Sequence, residues 1–336
     1  MGTLVTEPTV RLDYGSAIRS GFQYLLSSHP EVFVMGQGLW SPWYVGNTMT
    51  ELEIEFGRDR VIDTPVSEQA STGAAIGAAI AGRRVVVVHP RMDFMILAMD
   101  QIVGQAAKWS SMFAGQLRVP VVVRAIINRG GEQGAQHSQA LHSWFAHVPG
   151  LRVVMPVTVA DARDMLIAAT LSDDPTLYID DRWLYERTED IPAEPDLQAL
   201  ERGCQILIEG RDLTVVAAGY SVQLAETACA HESMAGVGAE LIDLRVLNPL
   251  DIDPVVRSVT RTGRLLVVDG GWTSCGLAGE IIAAVAERVP PEVFACSPRR
   301  ITLQDAPAPT SAPLERRYYP DVETVVTAML SMTAAP

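Results

Sequence analysis

Most of the residues able to do chemistry fall in four short polar segments, each following a run of Val and Ile. Thr64-Pro65-Val66-Ser67-Glu68-Gln69 puts a carboxylate at the head of a stretch of small residues. A first-turn glutamate is already favoured by the helix dipole; buried, the same carboxylate would hydrogen-bond a ligand. His89-Pro90-Arg91-Met92-Asp93-Phe94 ends in a ring that is either core or a platform for a planar ligand. The run from Asn128 to Ser138 (NRGGEQGAQHS) has three glycines and several side-chain amides, and a connection this long is functional or mobile more often than it is mere packing. Histidines at 137, 142 and 147 are five apart, which does not stack them on one helical face, so a metal cluster is not expected. Val268 to Gly276 (VDGGWTSCG) resembles a loose glycine-rich phosphate turn but lacks the G-x-G-x-x-G order. No Walker motif, nucleophile elbow or zincin helix occurs.

The elements that must position these segments alternate between apolar strands and helix-period stretches. That pattern predicts an α/β protein with mainly parallel sheets flanked by helices, whose sites lie at the carboxyl ends of strands. Strands are expected at Glu31 to Gly36, Arg60 to Asp63, Arg84 to His89, Val119 to Ile127, Leu151 to Met155 and Thr176 to Ile179, with helices at Ser67 to Ala81 and Phe94 to Met112. A second series places strands at Leu213 to Ala217, Ala239 to Asp243, Arg264 to Asp269 and Arg300 to Leu303, with helices at Gln223 to His231, Pro254 to Thr260 and Gly279 to Arg288. The charged, proline-bearing stretch Glu186 to Gly203 reads as the connector. It gives a first domain over 1–190, a linker over 191–203 and a second domain over 204–336.

Composition narrows the class. The 336 residues are 48% hydrophobic, 6% aromatic and 20% charged, enough aliphatic material for two cores and too much for disorder or a disulfide scaffold. Apolar runs such as Val85 to Val88 are far shorter than the ~20 residues of a membrane helix. A net charge of −14 repels nucleic acid and anionic lipid. The N-terminus lacks the basic-then-apolar order of a signal peptide, Met1-Gly2 with Thr6 fits only a loose myristoylation pattern, and Cys204, Cys229, Cys275 and Cys296 show no metal spacing. A reducing cytoplasm is the expected location.

In the same segments the chain resembles the beta subunit of the thiamine-diphosphate-dependent decarboxylase component of 2-oxoacid dehydrogenase complexes, a transketolase-like family. The matching words are FGRDRVIDTPVSEQASTGAAIGAAIAG, MDFMILAMDQIVGQAAKW, RVPVVVRAII, GAQHSQALHSWFAHVPGLRVVMP, DLRVLNPLD, DAPAP and LERRYYPD, in order over about residues 30–322. The resemblance implies a pyrimidine-binding transketolase-like domain followed by a transketolase C-terminal-like domain. It implies that Glu68 hydrogen-bonds the ring nitrogen of the cofactor's aminopyrimidine and so relays the proton taken from the thiazolium carbon. It places Phe94 against the pyrimidine ring, Gln69 and Met92 among the cofactor contacts, and His137 beside substrate and acyl acceptor. A potassium ion held by backbone carbonyls near Asp173 is implied as well.

The diphosphate and Mg²⁺ of such enzymes are held by a Gly-Asp-Gly word followed by asparagine, and this chain contains no Gly-Asp-Gly. The resemblance therefore implies an alpha subunit that supplies that half, in an alpha2beta2 heterotetramer. Gln37, in MGQGLW, stands where the family carries an acid that contributes to a tunnel between active sites, and the ending AMLSMTAAP does not resemble those that hold an acyltransferase core. The expected activity is decarboxylation of a 2-oxo acid with transfer of the acyl or hydroxyalkyl unit to lipoamide, a lipoyl acyltransferase then being a partner. The alternatives are a two-component transketolase-like or carboligating enzyme with an aldehyde or sugar acceptor, and a degenerate subunit that only stabilises its partner.

Overall fold

Four consecutive valines from Val85 to Val88 leave a strand with no polar face, so it must be covered on both sides. A computed structural model of the chain describes residues 8–334. The N-terminal residues weighed for a leader or lipid signal and the final Ala335-Pro336 lie outside the described residues. The chain packs as two units: residues up to Ile126 with Val148–Arg152 and Thr158–Glu201, and Ile127–His147 with Val153–Val157 and Arg202 onward.

The first unit contains β1 (Thr9–Asp13), β2 (Val32–Gly36), β3 (Val61–Asp63), β4 (Arg84–His89), β5 (Val121–Ile127), the start of β6 (Arg152–Val154), β7 (Thr176–Asp181) and β8 (Thr188–Pro192). Its central strands run in the order β7-β5-β4-β2-β3. β2 is parallel to β3 and β4, and β4 to β5, with Gly36 opposite Asp63 and Val88, and His89 opposite Ala125. The residues following β2, β3 and β4 thus emerge at one level, the carboxyl edge. Gly36 is required there, because a Cβ would overlap the Val88 carbonyl oxygen. β5 is buried on both faces yet carries Arg124, fully buried, which donates to both carboxylate oxygens of Asp180 at 3.0 and 2.7 Å, to Thr48 and to the Tyr185 hydroxyl. A charge so placed survives only with its hydrogen bonds complete.

Helix Tyr14–Ser28 starts at Asp13, whose carboxylate accepts from Ser16 N at 2.8 Å, and lies against helix Val159–Leu171, close enough that a Cβ on Gly21 would sit 3.3 Å from the Arg163 carbonyl oxygen. β1 and β8 form an antiparallel ribbon, Thr9 opposite Pro192, so the proline-bearing stretch read as a connector is partly an ordered edge element. The single helix expected over Phe94–Met112 is broken into an α-turn (Met92–Met95), a 3₁₀ turn (Ile96–Ala98), a wide π segment (Asp100–Ala106) and an α-helix (Ala107–Met112). Gly104 lies in the wide turns, where a Cβ would come within 2.5 Å of Asp100 Oδ1.

The second unit holds β9 (Gln205–Ile208), β10 (Leu213–Ala217), β11 (Ala239–Asp243), β12 (Val246–Asn248), β13 (Leu265–Trp272) and β14 (Arg299–Leu303). Its five-stranded sheet runs β14-β13-β10-β11-β9, parallel except for β9, while β12 pairs antiparallel with Val153 and Val154. Helices Tyr220–Cys229, Asp253–Thr262, Leu277–Ala286 and Val322–Thr333 belong to the same unit. Two α/β units with mainly parallel sheets are what the strand and helix periodicities lead one to expect.

Candidate active site

At the carboxyl edge of the first unit, Asp63 Oδ1 accepts from Gly38 N at 2.6 Å and from Leu39 N at 3.4 Å, closing the turn after β2, and Thr64 N donates to the Gly36 carbonyl. The turn presents Gln37, whose Nε2 donates to Glu68 Oε1 at 3.3 Å. Glu68 opens helix Glu68–Ile80 and is only 6% exposed. The same helix is tied to β4 by Thr72 Oγ1, 3.1 Å from His89 Nε2. Burial pushes the His89 imidazole down to about 4, so it is neutral near pH 7. Phe94 follows β4 half-buried, Gln69 is exposed, and Met92 has no accessible surface.

In the second unit, the loop from Asn128 to Leu141 carries His137, half-buried, with its amide donating to Gly134 O at 3.3 Å. Glu132 N donates to both carboxylate oxygens of Glu315, and the Glu132 carboxylate accepts from Ala312 N at 3.0 Å, a reciprocal pairing of loop and helix start. His142 Nε2 lies 2.8 Å from Asp269 Oδ1, both residues being buried, and Arg129 Nη1 donates to Gly270 O at 3.2 Å. Burial alone would raise the Asp269 carboxyl; the His142 ring, the Gly271 amide and Arg129 outweigh it and hold the group below its ordinary range. These contacts account for the glycines of the DGGW word. A Cβ on Gly270 would lie 2.7 Å from Arg129 Nη1, and one on Gly271 would lie 3.3 Å from His142 Cε1. The loose phosphate turn expected from Val268 is instead, through Trp272, the packed end of strand β13.

The donor set at Glu68 fits the ring end of thiamine diphosphate. Glu68 is a buried carboxylate that could accept from a ring nitrogen, and two buried oxygens in the neighbouring segments, Gln37 Oε1 and Thr64 Oγ1, have no hydrogen-bond partner among the described residues. A ligand carrying N–H donors would satisfy them. The segment near Asp173 already holds a cation of the chain itself. Arg84 donates to the carbonyls of Thr170 and Ser172 at 3.2 and 2.7 Å and to Asp173 Oδ1 at 2.7 Å, so a guanidinium occupies the Ser172 carbonyl of that segment. Among the described residues no group of three or more His, Cys, Asp or Glu side chains could hold a metal. Burial raises the Cys204 and Cys229 thiols to about 12 and about 11, which removes them as nucleophiles.

Sequence reading singled out Glu68, Phe94 and His137 but not the His142–Asp269 pair, whose members are 127 residues apart, nor the tie between His89 and Thr72. The glycines following Asp269 were the only visible trace of the first.

Two domain families match in order: "Transketolase, pyrimidine binding domain" over residues 11–187 and "Transketolase, C-terminal domain" over 203–325. The chain belongs to this two-domain transketolase family, within the group that contains the beta subunits of thiamine-diphosphate-dependent 2-oxoacid dehydrogenases. It is 34% identical to the pyruvate dehydrogenase E1 component subunit beta of Rhizobium meliloti, over 98% of this chain and 70% of that one. Identity is 40% to the acetoin:2,6-dichlorophenolindophenol oxidoreductase subunit beta of Cupriavidus necator, over 80% and 79%, and 37% to a mitochondrial pyruvate dehydrogenase E1 beta subunit of Oryza sativa, over 96% and 86%. A solved split-gene transketolase, an inactive beta4 tetramer, shares the fold at a TM-score of 0.75 and 20% identity, covering 96% of this chain and 97% of its own. Among the described residues no helix is long and apolar enough to cross a membrane.

Proposed function

We propose that this chain is the beta subunit of a two-component thiamine-diphosphate-dependent enzyme that decarboxylates a 2-oxo acid and passes the acyl or hydroxyalkyl unit to lipoamide. The observation that carries the reading is Glu68, a buried carboxylate at the carboxyl edge with Gln37 donating to it, in a chain whose relatives are named as such beta subunits. Thiamine diphosphate, when bound, supplies a thiazolium carbon able to attack a carbonyl and hold the electrons released as carbon dioxide leaves. Glu68 would hold a proton at the ring nitrogen of the pyrimidine, Gln37 would orient the Glu68 carboxylate, and Phe94 would lie against the ring. Gln69 and Met92 would shape the adjoining wall. His137 would orient the substrate or move a proton at its carbonyl oxygen during transfer.

Mg²⁺ and the diphosphate would be held by an alpha subunit bearing Gly-Asp-Gly, since this sequence has none, and two of each chain would form the heterotetramer in the cytoplasm. Exposed apolar side chains at the carboxyl edge support such a partner: Trp43 after β2, Val66 after β3 and Leu97 after β4. The purified chain alone should show no cofactor-dependent turnover, and co-expression with its alpha partner should restore it. In the restored pair Glu68→Ala should lower kcat by about 10²-fold or more, the scale on which a proton-transfer group acts. Turnover by the lone chain, or an unchanged rate in Glu68→Ala, would refute the reading. Pyruvate and acetoin, the compounds for which relatives are named, are the first substrates to compare, with a lipoyl domain against an aldehyde as acceptor.

A further inference from the structure

We infer that Asp269 is a positioning residue for the His137 loop, closing with His142 and Arg129 a clasp that fixes both ends of residues 129–142 to the end of strand β13. The loop has no regular structure, and Gly130, Gly131 and Gly134 adopt positive φ, as does Glu132 at 62°. Left to itself such a segment would sample many conformations, and holding each residue costs chain entropy. Its ends nevertheless converge on three consecutive residues. At the near end Arg129, 4% exposed, donates to the Gly270 carbonyl at 3.2 Å. At the far end His142 meets Asp269 Oδ1 at 2.8 Å, and the same oxygen accepts from Gly271 N at 3.2 Å. The end of β13 is built to receive both, since a side chain at Gly270 would strike the Arg129 guanidinium and one at Gly271 would press on the His142 ring.

The pair is poorly suited to a purely stabilising role. His142 Nδ1 and Asp269 Oδ2 are buried with no hydrogen-bond partner among the described residues, and a buried carboxylate contact with spare polar atoms is on balance no better than an apolar contact of the same size. What it does provide is a fixed distance and direction, which apolar packing does not. Between its ends the loop is held again through Glu132 and Glu315. His137 thus sits on a span held at three points, and an imidazole that must meet a reacting atom needs that constraint.

This inference rests on the role proposed for His137, and the test separates the two. The full chain is digested with trypsin, following the cut after Arg129, with the exposed Arg211 as internal reference. Asp269→Asn and His142→Ala should speed the Arg129 cut relative to the Arg211 cut by about tenfold or more, as expected when a charge-assisted contact holding a local closed state is lost. His142→Gln, which keeps a donor, should have a smaller effect. Thr214→Val, which removes a buried hydroxyl bonded to Ser258 and Thr262 elsewhere in the unit, should leave the ratio unchanged. An unmoved ratio in both clasp variants, or an equal rise in Thr214→Val, would overturn the clasp. In the enzyme assembled with its alpha subunit, Asp269→Asn should lower kcat while the affinity for thiamine diphosphate stays the same. A loosened loop with unaltered kcat would uphold the clasp and instead remove His137 from the reaction.

Discussion

His89 joins the helix that begins at Glu68 to the strand on which it rests, and it does so as a neutral ring. It is 2% exposed, contacts Thr72 Oγ1, and burial lowers its pKa from 6.5 to about 4. The sign of the linkage follows. Above pH 6.5 neither the folded nor the unfolded chain protonates this ring, so its contribution is fully present. As pH falls toward 4 the unfolded chain takes up a proton that the folded chain refuses, and stability is lost. Between pH 7.5 and 5.5 the loss assignable to His89 should be about 1.4 kcal/mol, one factor of ten in proton binding. Urea unfolding at the two pH values should show His89→Gln less pH-sensitive than the parent chain by that amount. Equal slopes would mean that His89 is not the group responsible. Because Thr72 lies one turn along from Glu68, the same protonation should loosen the carboxylate's helix before the unit as a whole unfolds.

At the scale of elements, Arg84 at the start of β4 places its guanidinium on the carbonyls of Thr170 and Ser172, at the end of helix Val159–Leu171, and on Asp173. A cation at a helix C-terminus is favourable in itself, and here it is covalently part of the chain. The melting temperature should therefore be equal in potassium and tetramethylammonium salts of matched ionic strength, and Arg84→Met should cost about 1–2 kcal/mol through the carbonyls it leaves bare. A potassium-specific rise in the parent chain's melting temperature would contradict this. Which elements could be read from sequence follows from the same physics. β4, β5 and helix Glu68–Ile80 were legible because unbroken Val and Ile runs and a small-residue stretch admit few alternatives. The ribbon of β1 and β8 was not, since both strands are short, largely exposed and charged, and look like connector until paired. The π segment at Asp100–Ala106 keeps helical periodicity, so composition alone could not reveal it. Glu68 was singled out by its place after β3 and by the family words around it, and His137 by those words alone. The pairing of His142 with Asp269 was not legible, because a contact spanning 127 positions leaves no local pattern.

At the scale of the whole molecule, a chain with a net charge of −14 would gain little from exposing large apolar side chains, yet Trp43 is 85% exposed, Val66 75% and Leu97 61%. All three follow strands of the first unit's sheet at the edge where Glu68 begins its helix. The flap bearing Trp43 is not loose, for Arg182 donates to the carbonyls of Trp43 and Tyr44 at 3.1 and 3.0 Å and Thr48 is bound by the buried Arg124. A fixed, exposed tryptophan is the kind of residue that dominates an interface, and truncation of such an anchor costs about 2 kcal/mol or more of binding. On the function proposed above these side chains meet the alpha subunit, which would cover the edge at which the already buried Glu68 begins its helix. Trp43→Glu and Leu97→Glu should accordingly leave the lone chain's melting temperature nearly unchanged, since neither side chain is part of the core, while weakening assembly with the alpha subunit by about thirtyfold or more, the equivalent of ~2 kcal/mol. Sedimentation of the co-expressed pair across a concentration series measures that directly. Unchanged assembly in both variants would move the interface away from the carboxyl edge, and with it the argument that Glu68 is covered by a partner.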